Sequence, residues 1–206
     1  MARKQRQRTL RDPIPIIIGE GLTERSYFKG LCELMGYQAK MCKSSFSYQN
    51  IKGIDKAIEK ALDDERPVIA VFDTDITQWD NGAKKRLNRL REKYEKHNKS
   101  EEDNEVVMLC DSLPSIEFWF LLHYKECGRV FRRSDEVLKE LKKYMPNFDK
   151  CTSFLDRKDW IAELCSGEKM AEAIRRSKQL DDYTKPYSKV YQAIEFLEER
   201  KRPEVK

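Results

Sequence analysis

The sequence predicts an α/β fold in which a mainly parallel sheet is flanked by helices and followed by a helical C-terminal extension. Short apolar runs, typical of buried strands, alternate with segments whose apolar residues recur at helical spacing. From residue 132 onward the patterns are helical only. We therefore predict a core over residues 12–125, an extension over residues 126–206 packed on it, and a basic tail at residues 1–11.

Three apolar runs are predicted to form strands, and a fourth, weaker strand is predicted as well. The run "PVIAVF" is apolar at every position, as expected for a central strand covered by helices on both faces. The predicted strands cover residues 14–18, 37–43, 67–72 and 105–110.

Helices are predicted between and after these strands. The first has apolar residues at helical spacing and a glycine, Gly36, as its stop. The predicted helices cover residues 24–36, 55–65, 81–98, 115–124, 134–145, 159–177 and 189–201.

The amino-acid composition is that of a folded, polar protein with a small positive net charge. Charged residues make up 37% of the 206 positions and the hydrophobic set 39%, which is polar but still typical of a folded chain. Lys and Arg number 41 against 36 acids, so the net charge of +5 permits a polyanionic partner without demonstrating one. The N-terminus has no apolar stretch and no membrane-length segment follows, so we expect a cytoplasmic protein.

The six cysteines do not indicate a zinc site. They are scattered without a Cys-x-x-Cys pair, and the chain has only two histidines. Cys110 lies inside the apolar run "VVMLC", which predicts a buried, reduced thiol.

Acidic residues follow three of the predicted strands. Glu20 follows the first, Asp73 and Asp75 the third, and Asp111 the fourth, with Glu117 entering the next helix. Sites in open α/β sheets form at the carboxyl ends of strands, so these carboxylates are expected to converge if the strands are neighbours. Oxygen-rich clusters of this kind suit Mg²⁺ or Mn²⁺, and such a cation would remove the repulsion between the acids.

A simpler explanation exists for each acid alone, because an Asp after a strand often caps a helix or turns the chain. Two aspartates at positions i and i+2 on the end of a buried strand are harder to explain that way. Together with Glu20 in "GEG", the pair Asp73 and Asp75 becomes a stronger signal.

The segments "IIIGEGLTERSYF" and "VFDTD" resemble the Toprim module of primases, topoisomerases and OLD-type nucleases. In that module a Glu ends the first strand and an Asp-x-Asp pair ends a later one. Together with "SLPSIEFWFLLHY" and "YTKPYSKVYQAIEFL", these segments are more narrowly similar to the RloB-like family of restriction-linked, abortive-infection-type proteins. Such proteins are commonly encoded beside an ATPase. The resemblance spans most of the chain and implies a Toprim-like catalytic core.

The resemblance also implies roles for individual residues. Glu20 corresponds to the Toprim glutamate, a general acid/base or metal ligand. Asp73 and Asp75 correspond to the metal-binding pair, with Mg²⁺ or Mn²⁺ as the implied cofactor. Glu24 corresponds to the second acid of a Glu-Gly-x-x-Thr-Glu-like pattern, written here as "EGLTE" with one residue fewer.

Glu117 corresponds to the family's acid before Phe-Trp and completes the implied catalytic set. Family members usually carry Asn-Pro before that acid, where this chain has Leu113 and Pro114. Any role of the Asn side chain is therefore missing here or filled by Ser112 or Asp111.

His123 lies six residues after Glu117, which on a regular helix places their side chains about 120° apart. Both are therefore not expected to be direct ligands of one ion. A buried Glu117 would need a partner, and a metal is one such partner. His123, Glu24 and Asp111 are candidates for the layer of side chains behind the ligands, although a histidine near apolar faces is more often structural.

A basic helix begins soon after the Asp-x-Asp pair. If the sheet geometry holds, Lys84, Lys85, Arg86 and Arg89 lie near the acidic site and are candidates for nucleic-acid binding. The alternative is a solvated surface helix on which acids such as Glu95 pair locally.

We therefore expect a divalent-metal-dependent nuclease that cleaves DNA or RNA, tRNA included, with an ATPase as partner. Two alternatives stay open. One is a Toprim-shaped subunit that binds nucleic acid or docks on the ATPase without cutting. The other is a haloacid-dehalogenase-type phosphatase with Asp73 as nucleophile and Asp75 as acid/base, although that motif normally opens its fold and a later acidic pair is missing here. The oligomeric state is not predicted.

Overall fold

The fold is built on one five-stranded sheet. The computed structural model describes residues 13–42, 50–99, 106–180, 183 and 185–201, so the predicted basic tail lies outside the described residues. The strand order is β2-β1-β3-β4-β5. The strands are β1 (Ile16–Gly19), β2 (Lys40–Met41), β3 (Val68–Asp73), β4 (Val107–Leu113) and β5 (Tyr187–Ser188).

Four of the five strands run parallel, which confirms the predicted α/β class and the mainly parallel sheet. β1 pairs in parallel with β2 and with β3, and β3 pairs in parallel with β4. β5 pairs antiparallel with β4 at the edge. Because the parallel strands share one direction, the residues that follow β1 and β3 meet at the same edge of the sheet.

Helices cover both faces of the sheet, as the apolar run in β3 predicts. On one face, α2 and α3 pack against Ile16, Ile18 and Phe72. On the other, the remaining apolar side chains of the strands, such as Ile17, pack against α1 and the helices that follow β4. The helices are α1 (Leu22–Met35), α2 (Ile51–Leu62), α3 (Asn81–His97), α4 (Glu117–Leu122), α5 (Ser134–Leu141), α6 (Thr152–Leu155), α7 (Asp159–Leu164), α8 (Lys169–Lys178) and α9 (Val190–Glu199).

The C-terminal region differs from its purely helical prediction in two places. β5 joins the sheet, and its two residues are too few to give a period-2 pattern in the sequence. The helix predicted over 159–177 is divided into α7 and α8. Gly167 lies in the break with φ +56°, a left-handed conformation that glycine adopts without a steric penalty.

The cysteine prediction is confirmed for Cys110, which is fully buried and free, and burial raises the pKa of its thiol. The other five cysteines are free as well. Within the described residues, none of the helices has the length and apolar character needed to cross a membrane.

Candidate active site

The carboxyl edge of the sheet joins Glu20 to Asp73. β3 is buried along its length and ends in Asp73, which is partly exposed. The backbone N–H of Glu20 donates to Val71 O (3.0 Å), and the backbone N–H of Asp73 donates to Glu20 Oε2 (2.8 Å). The acids that follow the first and third strands are therefore direct neighbours, 53 residues apart in sequence.

The glycines flanking Glu20 are required by close approaches in this corner. A Cβ on Gly19 would lie 2.7 Å from Arg25 Cγ and 3.1 Å from the Arg25 backbone nitrogen. A Cβ on Gly21 would lie 2.8 Å from Glu24 Oε2, the oxygen that accepts the Gly21 N–H at 2.8 Å. The "GEG" sequence therefore allows α1 to begin directly beside the strand that carries Glu20.

Asp75 joins the same site from a 3₁₀ turn (Asp75–Gln78) that follows β3. Glu20, Asp73 and Asp75 line one cavity of about 170 Å³ together with Arg86 of α3. The rest of its lining consists of Asn50, Ile51, Ile54, Phe72, Ile76 and Ala83. The structure thus places three acids from separate elements, and one arginine, around a single opening.

A buried acidic layer lies behind this cavity. Glu24 and Glu117 are almost fully buried, at 5% and 0% exposure. Their charges act on Asp73, whose Oδ1 accepts the backbone N–H of Ile116 at 2.9 Å. Glu24, Asp73 and Glu117 therefore form one acidic cluster at the starts of α1 and α4, with Glu20 beside it.

The pKa values of Asp73, Glu20 and Glu24 are raised, and burial is the main cause of each shift. Burial raises the pKa of Asp73 well above its usual value, and the charges of Glu24, Glu117 and Glu20 raise it further. Burial also raises the pKa of Glu20, where the hydrogen bond from Asp73 opposes the shift. The pKa of Glu24 is raised to about 7, again chiefly by burial. Carboxyl groups with raised pKa values can hold a proton near neutral pH.

Lys150 is a member of this site that the sequence did not predict. It comes from the segment between α5 and α6, and its Nζ lies 2.8 Å from Glu117 Oε1. The hydroxyl of Ser115 donates to the other carboxylate oxygen of Glu117 at 2.6 Å. Burial lowers the pKa of Lys150, but the charges of Glu117, Asp73 and Glu24 outweigh it, so the pKa is raised and the ammonium stays charged.

Asp111 does not join the acidic cluster, contrary to its predicted supporting role. β4 continues to Leu113, so Asp111 lies inside the strand, paired with Phe72 in register. Its Oδ2 accepts from Arg91 Nη2 of α3 at 2.5 Å and from the hydroxyl of Tyr187. That hydroxyl also lies 3.3 Å from Thr74 Oγ1, so Asp111 stabilises the β3 end through Tyr187 instead of facing an ion.

His123 is also placed away from the predicted role. It is 3% exposed, and its Nδ1 donates to the carbonyl of Trp119 (2.9 Å) while its ring lies edge-on to the indole. Burial lowers its pKa to about 4. None of the hydrogen bonds and ion pairs found within the described residues joins it to Glu20, Asp73 or Glu117, so we interpret it as a structural, neutral histidine.

The four residues predicted to contact nucleic acid lie on α3, and of these four only Arg86 lines the cavity. Lys84, Lys85 and Arg89 are exposed, and none of them forms an ion pair within the described part of the chain. Arg86 lines the cavity and lies 3.4 Å from Asp80, whose carboxylate caps the helix.

The donor chemistry of the cavity fits Mg²⁺ or Mn²⁺, because carboxylate oxygens are the ligands both ions prefer. Across the described residues, however, no three His, Cys, Asp or Glu side chains form a group that could hold a metal ion. Mg²⁺ at phosphate-handling sites is usually held by one or two carboxylates, with water and substrate phosphate completing its shell. Asp73 together with Asp75 or Glu20 fits this mode of binding, in which two carboxylates hold the ion.

Comparison with known proteins identifies the family. The family described as "RloB-like protein" matches residues 16–197, which includes every acid of the site and Lys150. Neither the curated proteins nor the solved structures contain a match. Since the match covers nearly the whole sequence, the chain belongs to the RloB-like protein family.

Proposed function

We propose that the protein is a divalent-cation-dependent nuclease that cleaves phosphodiester bonds in DNA or RNA. One observation carries the proposal: Glu20 and Asp73, from different strands, are joined by a 2.8 Å hydrogen bond and line one cavity with Asp75. Arg86 on the rim of that cavity supplies positive charge for a phosphate. The same arrangement of acids underlies the Toprim resemblance.

The proposed reaction assigns separate tasks to these side chains. Asp73 and Asp75 would hold the cation, which polarises a phosphate and lowers the pKa of bound water. Glu20 has a raised pKa and is fixed through Oε2 by the Asp73 N–H, so its carboxyl group can accept a proton from water and return it to the leaving oxygen. Arg86 binds the phosphate from the α3 side, and Lys150 balances the charge behind the cluster.

The biological setting is proposed from family membership. The RloB-like resemblance implies a restriction-linked, abortive-infection role in antiviral defence and a partner ATPase. We propose that the nuclease works with such an ATPase, with a cytoplasmic nucleic acid, tRNA included, as target.

Metal-dependent cleavage by purified protein tests the proposal. DNA, RNA and tRNA are incubated with the protein in Mg²⁺, Mn²⁺ or EDTA, with and without the proposed partner ATPase. Cleavage is expected only with the cation, and Glu20→Gln and Asp73→Ala should each lower the rate about 10²- to 10⁴-fold. As a control, the unfolding temperature and the nucleic-acid affinity of both variants must first match those of the wild-type protein.

One observation favours the non-catalytic alternative. The ammonium group of Lys150 neutralises part of the acidic cluster, as expected of a site that binds without cutting. Binding of nucleic acid or ATPase with no cleavage under any of these conditions would establish that alternative and refute the nuclease.

A further inference from the structure

Trp79 is the most exposed of the large apolar side chains in the described residues, at 60%. The chain has three tryptophans, and the other two, Trp119 and Trp160, are 0% and 3% exposed. An indole held mostly in water is costly to solvate, and such residues often mark binding surfaces.

Trp79 directly follows the 3₁₀ turn (Asp75–Gln78) whose residues Asp75 and Ile76 line the acidic cavity. The backbone N–H of Trp79 donates to Ile76 O (3.3 Å), which closes the turn. Ile76 and Trp79 lie three residues apart in sequence, near the start and directly after the end of this turn. Ile76 is 46% exposed and lines the cavity with Asp73 and Asp75. Ile76 and Trp79 therefore form an apolar ledge beside the acids.

Hydrogen bonds fix this ledge at both ends. Thr77 donates to Thr74 O twice, from its backbone N–H at 3.0 Å and from Oγ1 at 2.6 Å. Asp80 N–H donates to Ile76 O at 2.9 Å, and Gln78 Nε2 reaches across to Arg132 O at 2.9 Å. Because the turn is already held in place, little backbone entropy would be lost when a ligand stacks on it.

Positive charge continues from the ledge along α3. The helix begins at Asn81, two residues after Trp79, and its exposed face presents Lys84, Lys85 and Arg89. An exposed aromatic ring next to a basic track is the pattern by which proteins hold single strands, with bases stacked on rings and phosphates on cations. The charge of α3 favours a polyanion over an apolar peptide as the occupant.

We propose that the Ile76–Trp79 ledge stacks an unpaired nucleobase of the polynucleotide whose phosphate enters the acidic cavity. This inference rests on the proposed function and deepens it, because it assigns the substrate class. The faces of a paired base are covered by its neighbours in the duplex, so the ledge accepts a base only from a single strand, a loop or a flipped nucleotide. The substrate is therefore single-stranded or looped nucleic acid.

Tryptophan fluorescence in EDTA tests the stacking directly, without any cleavage. Because only Trp79 is exposed, acrylamide should quench mainly its emission, and a bound 12-nucleotide single strand should both quench Trp79 and protect it from acrylamide. A blunt duplex of the same sequence should produce neither effect. Both signals should disappear in Trp79→Phe.

Affinity for a fluorescein-labelled single strand gives the second readout. Trp79→Ala should weaken binding about 5- to 100-fold, the range for loss of one stacked base, while Trp79→Phe should weaken it only about threefold. Tyr144→Ala removes another exposed aromatic residue, which follows α5 and stacks on Tyr124, and should leave affinity unchanged. DNA and RNA strands are compared in parallel.

The outcomes separate this inference from the nuclease proposal. Cleavage that is normal in Trp79→Ala, or equal affinity for single strand and duplex, would overturn the stacking site and leave the nuclease intact. Stacking without any cleavage would overturn the nuclease proposal and leave the stacking site intact. If Trp79→Ala instead changes the oligomeric state in light scattering, the ledge contacts a second copy of the chain and the stacking site is wrong.

Discussion

At the residue scale, the most consequential contact is the ion pair between Lys150 and Glu117. The carboxylate is fully buried, while the lysine side chain is 46% exposed. A buried charge that loses its partner costs far more than a surface pair, because it keeps its desolvation penalty. Lys150 therefore lets two further acids, Asp73 and Glu24, lie close to Glu117.

Replacing Lys150 by Met should lower the free energy of unfolding by about 2 kcal/mol. This is below the 3–5 kcal/mol for a fully enclosed pair because the lysine is half exposed. Urea unfolding at pH 7.5 measures the change. Glu117→Gln in the Lys150→Met background should recover most of the loss, since the buried charge is then gone. Two effects that simply add would show that the pair is not coupled.

His123 makes stability depend on pH in the acid range. Its folded pKa of about 4 lies below the ordinary value of 6.5, so its contribution is fully present above pH 6.5. As the pH falls from 6.5 to 4, the unfolded chain gains a proton that the folded chain does not. The free energy of unfolding therefore falls by up to about 3 kcal/mol.

His123→Asn should reduce this loss of unfolding free energy at acid pH, because the amide nitrogen can still donate to the carbonyl of Trp119 but does not titrate. Unfolding free energies at pH 7 and pH 4.5 are compared for both proteins. The variant should lose about 2 kcal/mol less than the wild type between these pH values. An equal loss would mean that His123 titrates normally in the folded state.

At the scale of elements, the strands that the sequence predicts best are those with long buried runs. β1 and β3 are found near their predicted positions because, apart from Gly19 and Asp73 at their ends, every residue in them is apolar. β4 runs three residues beyond its prediction, because Asp111 and Ser112 look like loop residues. Asp111 is accommodated in the strand by Arg91 and Tyr187, which lie 20 and 76 residues away in sequence.

α1 and α7 approach each other closely at Gly30. A Cβ at that position would overlap Cδ1 of Ile161, which is 1% exposed. Gly30→Ala should therefore lower the unfolding free energy by about 1 kcal/mol, because overpacking outweighs the higher helix propensity of alanine.

Ile161→Val tests that explanation, because it removes the obstructing Cδ1. Alone it should cost about 1 kcal/mol. Combined with Gly30→Ala it should cost about 1 kcal/mol less than the sum of the two single changes, as measured by urea unfolding. If the losses of the two single variants simply add in the double variant, the overpacking at Gly30 does not involve Cδ1 of Ile161.

At the scale of the whole molecule, the aromatic core joins the predicted catalytic core to the predicted extension. Phe120 of α4 lies 5.0 Å from Tyr27, 5.8 Å from Phe148 and 5.3 Å from Trp160, measured between ring centroids. Phe148 and Trp160 belong to the extension. β5 and α9 likewise pack on β4. The extension therefore completes the hydrophobic core of the sheet.

Residues 13–125 expressed alone are thus expected not to fold cooperatively. The fragment would leave the rings of Phe118 and Phe120 and the edge of β4 in water. Thermal unfolding followed by near-UV circular dichroism compares the fragment with the full chain. A sharp transition in the fragment would show that it folds without residues 126–206 and would contradict this expectation.

The site was predictable where its members follow strands and unpredictable where they do not. Glu20, Asp73 and Asp75 can be read from the sequence because parallel strands bring their ends together. Lys150 lies in a segment without periodicity, between α5 and α6, and its approach to Glu117 depends on how those helices pack against α4. No local pattern carries that information.

The late position of Lys150 and Tyr187 has a consequence for biosynthesis. A ribosome makes Glu20, Asp73 and Asp75 long before it adds the lysine that balances Glu117 or the phenol that reaches Thr74. A nascent chain therefore carries the acids without the contacts that arrange them. If the protein cuts nucleic acid, its active site is therefore assembled only after the last strand, β5, has been synthesised.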